Sequence, residues 1–154
     1  MSIDKLFELS NLFVLPFWAL MIFLPKWKIA QQIVASYLPY VALAGLYIYF
    51  FVGAITPETA QAMSNPDLSQ IASFFADPHA AATGWTHFLV MDLFAGRWIF
   101  LEGQRTGVWT AHSIAFCLFA GPIGLLSHIL TATISEKFFA PKNQPEDTEA
   151  GGVV

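Results

Sequence analysis

Charge is what this chain has least of. Only 12% of its 154 residues are charged against 56% hydrophobic, a balance too apolar for an ordinary soluble domain and expected of a membrane protein. The formal charge of −4 gathers at the ends and in one loop, so a nucleic-acid partner has no electrostatic support. A single cysteine, Cys117, allows no internal disulfide. The loop at 56–83 contains no Lys or Arg, and no internal repeat is present. No cleavable leader is expected either. The first apolar run starts within about ten residues of the N-terminus, leaving no room for an Arg- and Ser-rich transit peptide. It is followed by Pro25-Lys26-Trp27-Lys28 rather than by a small-residue cleavage pattern, and so reads as a retained span.

What the chain does have is long apolar runs. Four of them, at 6–24, 33–55, 84–101 and 110–134, approach the roughly 20 residues that cross a ~30 Å hydrocarbon core. The expected fold is all-α: one four-span transmembrane bundle over 1–140, with a short interfacial helix between spans two and three and a disordered acidic tail at 141–154. In the second span Tyr37, Tyr40 and Tyr47 share one side; Tyr47 lies deep, where its hydroxyl needs a partner. Asn65-Pro66-Asp67 predicts the interfacial helix, with Asn65 as cap, Pro66 in the first helical position, an apolar face of Leu68, Ile71, Phe74 and Phe75, and an end near Asp77-Pro78. His79, just beyond, is expected in a solvated loop. An even number of crossings places both termini on one side, and the scarcity of basic residues in the long loop turns that side away from the cytoplasm.

The stretch at 84–131 concentrates the polar groups: three of the four histidines, together with Asp92, Arg97, Glu102, Cys117 and Gly121-Pro122-x-Gly124. Ionisable side chains at membrane depth are costly without partners, which makes them functional candidates. On an ideal wheel Asp92 shares a stripe with Trp85 and Gly96, while Ser113, Cys117, Gly121, Gly124 and His128 lie within about 80° of one another. The second stripe reads either as close helix packing or as a groove for a long flat apolar ligand. Pro122 frees the carbonyl of Leu118 in mid-span. Folding span four back on span three as a hairpin brings His87 to the depth of His128, Asp92 opposite Gly121-Pro122, and Glu102 near His112. The first layer, His87, His128 and Asp92, is compatible with an acid/base site, a metal site, a haem held between two histidines or a structural hydrogen-bonded pair. The second, Arg97, Glu102 and His112, is expected to be a structural polar cluster, with snorkelling of Arg97 to the surface as the alternative.

The pattern His87-x4-Asp92-Leu93-Phe94-x-Gly96-Arg97-Trp98, with His112-Ser113, Cys117 and Gly121-Pro122-x-Gly124-Leu125-Leu126-x-His128 after it, resembles the abscisic-acid-deficient-four family. These are integral membrane proteins of plastids required for neoxanthin formation. The likeness covers nearly the whole chain except the tail. It implies a membrane protein that acts on, or holds, a xanthophyll, in a thylakoid or a bacterial inner membrane; the lack of a transit peptide points to a bacterial, cyanobacterial-type member. It also implies isomerisation of an epoxide to an allenic alcohol, a redox-neutral change that needs an acid and a base but no nicotinamide or flavin. Asp92 with His87 or His128 would supply those roles, and Tyr47, Trp85, Gly96, Ser113, Cys117, Gly121 and Gly124 would receive the carotenoid. A non-catalytic carotenoid carrier, or an assembly partner of another carotenoid enzyme or a pigment-protein complex, is the competing expectation. Metal- or haem-dependent redox chemistry is a third. No cofactor is expected beyond the carotenoid and the surrounding lipid.

Overall fold

The computed structural model describes residues 1–139; the tail at 141–154, expected to be disordered, lies outside them. Every regular element among these residues is helical: α1 Ile3–Phe23, α2 Lys28–Ala35, α3 Leu38–Ala54, α4 Pro57–Ala62, α5 Leu68–Phe74, α6 Pro78–Thr106, α7 Ala111–Cys117 and α8 Gly121–Phe139. Two stretches, Ile3–Phe23 and Lys28–Ala54 taken through its break, are long and apolar enough to cross a bilayer.

The longest helix organises the rest. Asp77 caps α6 by accepting from the backbone N–H groups of His79 (2.8 Å) and Ala80 (3.1 Å), and Pro78 occupies its first turn, where no N–H is needed. Gly107 ends it at φ 74°, the left-handed conformation glycine adopts without strain. At 29 residues the helix is about 44 Å long. His79 therefore belongs to its first turn, not to a loop, and its ring packs where a side chain on Gly53 of α3 would otherwise sit. The helix before it, α5, starts two residues later than the Asn65-Pro66 signal suggests. Asp67 outcompetes Asn65 because it forms a reciprocal capping box with Gln70.

Directions relative to α6 emerge from the pairs. The α1 helix runs parallel to it, through Asn11 with Trp85 and then Trp18 against Gly96, and α2 turns back along it, through Gln31 with Gln104 and Val34 with Arg97. Antiparallel to α1 and α6 is α3, through Tyr40 with Leu93, Tyr47 with His87, and Gly53 with His79. Between them lies the core of Val14, Trp18, Met21, Leu43, Leu93, Ile99 and Phe100, joined by Ile114 and Cys117 from α7. The outer surface is apolar as well: Leu12, Val41, Ile48, Val52, Phe88, Phe119 and Leu126 are exposed. A surface of this kind marks contact with lipid or with another protein.

Two expected spans are broken, each by a proline. In the second, Pro39 has no N–H for the carbonyl of Ala35, and the N–H of Leu38 turns to Ser36 Oγ (3.2 Å). The helix at 33–55 is thus α2 and α3 meeting at Ser36-Tyr37. In the fourth, Pro122 withholds an N–H from Leu118; α7 closes at Cys117, and the chain reverses through 118–120. The two arms form a hairpin. Ser113 Oγ meets Ser127 Oγ (3.0 Å) and His112 Nε2 meets Thr131 Oγ1 (2.9 Å), so α8 returns antiparallel to α7 and parallel to α6. The continuous fourth span expected at 110–134 is replaced by a hairpin whose first arm, α7, has seven residues and whose second arm, α8, returns toward the end of α6 from which α7 came.

Candidate functional site

The reversal at 118–120 meets Asp92. One carboxylate oxygen accepts the backbone N–H of Gly121 at 3.1 Å, so a side chain of α6 caps the first turn of α8. A side chain on Gly121 would collide with that carboxylate, which is why the approach needs glycine there. The second oxygen has no hydrogen-bond partner among the described residues, and Asp92 is half-buried. It lies in a cleft of about 540 Å³ between α1, α6 and the turn, walled by Leu12, Trp18, Phe88, Leu89, Phe119 and Pro122. Asn11 and Trp85 contribute its other polar edge: Trp85 Nε1–H donates to Asn11 Oδ1 at 2.7 Å, and the Asn11 amide donates to the carbonyl of Phe7 at 2.9 Å. The volume is in the range that accommodates a small-molecule ligand. A comparable groove of about 440 Å³ between α1 and α3 is lined by aliphatic and aromatic side chains and Ser10, and carries no titratable group.

The three residues expected to share this depth do not meet. His87 projects toward α3, its ring 6.2 Å from that of Tyr47, and is exposed. Because α8 runs parallel to α6 instead of forming one half of a two-span hairpin, His128 is carried to the far end of α6. There it packs edge-on against Trp98 (centroids 5.4 Å, 87°) and lines a different cleft with Glu102 and Glu136. The metal candidate His87, His128 and Asp92 is therefore not assembled, and no group of three or more His, Cys, Asp or Glu side chains is placed to hold a metal among the described residues.

Arg97, Glu102 and His112 also separate. Arg97 is 9% exposed, and its guanidinium reaches the break between α2 and α3: Nε donates to the carbonyl of Val34 at 2.9 Å and a terminal nitrogen to that of Ala35 at 2.8 Å. It satisfies the carbonyl of Ala35, released by Pro39, and that of Val34, left by the Leu38 N–H, at the negative end of the α2 dipole, with the Tyr37 ring 4.5 Å away. It does not snorkel. Glu102 pairs with Arg105 one turn on. His112 binds Thr131 and Ser113 inside the α7–α8 hairpin and stacks under Trp109.

The small-residue stripe is occupied by protein. Ser113 and Cys117 are fully buried, and a side chain on Gly124 would strike Cys117 and the carbonyl of Ser113; one on Gly96 would come within 2.6 Å of Trp18. Of the residues expected to receive a ligand, Trp85 and Gly121 line the Asp92 cleft; Gly96, Ser113, Cys117 and Gly124 close helix interfaces, and Tyr47, on α3, stacks on Phe51 and faces His87 of α6. Asn11 and Trp18 are the cleft residues that sequence reasoning misses. Asn11 sits seventy-four positions from its partner in the chain, a distance no local pattern bridges.

Fold and site define a protein of helices with an apolar exterior and a carboxyl-bearing cleft at a helix reversal. Comparison with known proteins gives that class a family. The model of the family described as ABA DEFICIENT 4-like matches residues 5–128, which include the whole of the cleft. Protein ABA DEFICIENT 4, chloroplastic, from Arabidopsis thaliana is 37% identical over 136 residues. This chain belongs to the ABA DEFICIENT 4-like family. The alignment covers 85% of the chain but 62% of the plant relative's length. No solved structure matches.

Proposed function

We propose that the chain is an integral membrane protein that crosses the bilayer three times, with α1, α2–α3 and α6, and dips into it a fourth time with the α7–α8 hairpin. The apolar exterior supports this reading, as does the polar side chain that engages each break: Arg97 binds two carbonyls at one and Asp92 accepts a backbone N–H at the other. Within it, the cleft beside Asp92 receives part of a carotenoid, a xanthophyll in keeping with the family, and Asp92 isomerises it without a cofactor. The observation that carries the proposal is a carboxyl with one oxygen fixed by Gly121 N–H and the other open to an apolar cleft.

A single carboxyl suffices for a redox-neutral rearrangement. In its neutral form it gives its proton to an epoxide oxygen as the carbon–oxygen bond breaks. The carboxylate then takes the proton from the adjacent polyene carbon, and that C–H electron pair becomes the new double bond. The same group ends protonated, atoms and electrons balance, and neither His87 nor His128 is required. Gly121 N–H, held at the start of α8, stabilises the carboxylate formed in between. Expression in a host producing epoxy-carotenoids tests this by pigment analysis: an allenic or geometrically isomerised product supports it, and an unchanged pigment profile with stable protein contradicts it.

One observation favours a carrier instead. No second acid or base lines the cleft among the described residues, which is what passive retention needs. That reading expects unmodified pigment to copurify with the chain.

A further inference from the structure

We propose that the second cleft, between the C-terminal half of α6 and α8, binds the sugar-type, polyhydroxylated headgroup of a membrane glycolipid. The cleft encloses about 450 Å³ and is lined by Trp98, Glu102, Thr106, His128, Thr133 and Glu136 among others. It shares no lining residue with the Asp92 cleft.

The donor and acceptor inventory selects the ligand. Thr106 Oγ1 donates to the carbonyl of Glu102 at 2.8 Å and accepts the N–H of Val108 at 3.4 Å, and Thr133 Oγ1 donates to the carbonyl of Ile129 at 2.9 Å, so both hydroxyls have committed their hydrogens and can act toward a ligand only as acceptors. Glu102 and Glu136 add two carboxylates. The cleft is thus rich in acceptors, and no Lys or Arg lines it among the described residues; Arg105, beside it, is engaged by Glu102. Phosphate and other acceptor-only groups do not fit.

His128 favours a hydroxyl among the ligands that do. It is 1% exposed, its Nδ1 is buried with no partner, and no hydrogen bond reaches either ring nitrogen among the described residues. A neutral imidazole has its N–H on one nitrogen and its lone pair on the other, and a hydroxyl, which donates and accepts, can meet either nitrogen in either tautomer. An ammonium group, which only donates, meets a given nitrogen in one tautomer alone. The exposed side of Trp98 supplies the flat apolar surface against which a ring carrying several hydroxyls can lie, and Ile129 and Ala132 continue the wall toward an acyl chain. The position agrees. The cleft opens at the end of α6 marked by Arg105 and the exposed Trp109, where lipid headgroups lie if α6 crosses the bilayer.

The inference rests on the membrane topology proposed for this chain but not on carotenoid chemistry, and its test keeps the two apart. The full chain, purified in a sugar-free detergent and stripped of lipid, is incorporated into vesicles containing equal parts of phosphatidylcholine, phosphatidylethanolamine and monogalactosyl diacylglycerol. It is then re-extracted, and the copurifying lipids are counted by mass spectrometry. The galactolipid should be enriched over phosphatidylcholine, and Glu136→Gln combined with Thr133→Val, both on the exposed side of α8, should cut the enrichment about tenfold, the effect expected for lost bonds to a charged acceptor. His128→Gln should do the same if it folds; the α8 double variant serves whether or not it does. Asp92→Asn should leave the enrichment unchanged. Equal retention of the three lipids, or preference for phosphatidylethanolamine, would overturn the proposal. So would methyl β-galactoside binding as tightly as the lipid, since the source would then be a soluble sugar. Incorporation into the vesicles measures the membrane topology separately.

Discussion

At the scale of single residues, the polar groups of this chain serve its broken helices before they serve any chemistry. Arg97 is the clearest case. Two carbonyls at the end of α2 depend on one guanidinium, which reaches them from two separate nitrogens in a fixed plane, an arrangement a single ammonium nitrogen does not copy. Arg97→Met should lower stability by about 2–3 kcal/mol, the scale of leaving buried acceptors unmet, and Arg97→Lys should recover only part of the loss. Thermal unfolding in detergent measures both; an Arg97→Met protein as stable as the parent would mean that water replaces the guanidinium. The histidines make the complementary point. Since His87 faces α3 and His128 faces Trp98, the losses from His87→Ala and His128→Ala should add to within about 0.5 kcal/mol in a double-mutant cycle. A coupling well above that would put them back in one site. Arg97 and the histidines are legible as candidates in the sequence, because an ionisable residue in an apolar run stands out. The partners of Arg97 are not legible, because Val34 and Ala35 contribute backbone carbonyls, which every residue has.

At the scale of elements, helix existence is legible in the sequence and helix continuity is not. Apolar runs of about twenty residues announce α1, α3 and α6, and Asp77-Pro78 and Gly107 bound α6 by familiar capping chemistry. The breaks are marked only by prolines. Pro39 and Pro122 each free a carbonyl, but a proline in a membrane helix reads equally as a kink or as a full reversal. What decides for reversal is the small residues around Pro122. Gly121 admits the Asp92 carboxylate and Gly124 admits Cys117, so the two arms of the hairpin close without a gap. Gly124→Leu, which would drive a side chain against Cys117 and the carbonyl of Ser113, should cost about 3 kcal/mol and open the hairpin. Its readout is Cys117: fully buried in the parent, it should react with a small maleimide in the variant under native conditions. A Cys117 that stays unreactive in a stably folded Gly124→Leu protein would contradict the packing described.

At the scale of the whole molecule, the proposed three crossings and re-entrant hairpin would place the N-terminus and the end of α8 on opposite sides of the membrane, where four crossings would place them together. Ser2→Cys and Lys137→Cys, each in a Cys117→Ser background, should therefore be labelled by a membrane-impermeant maleimide from opposite sides of sealed vesicles; labelling from one side would restore the four-span bundle. The same topology is what sets Asp92 and Gly121 face to face over an apolar cleft, and the functional account stands on that pair. Asp92→Asn tests it most directly, because the amide oxygen can still accept the Gly121 N–H while the group can no longer give and take a proton. The measurement is conversion of an epoxy-carotenoid by purified, reconstituted protein, alongside the amount of pigment retained. The account predicts a folded Asp92→Asn protein that retains pigment as the parent does and converts it at least about a hundredfold more slowly. Conversion at the parental rate would contradict it.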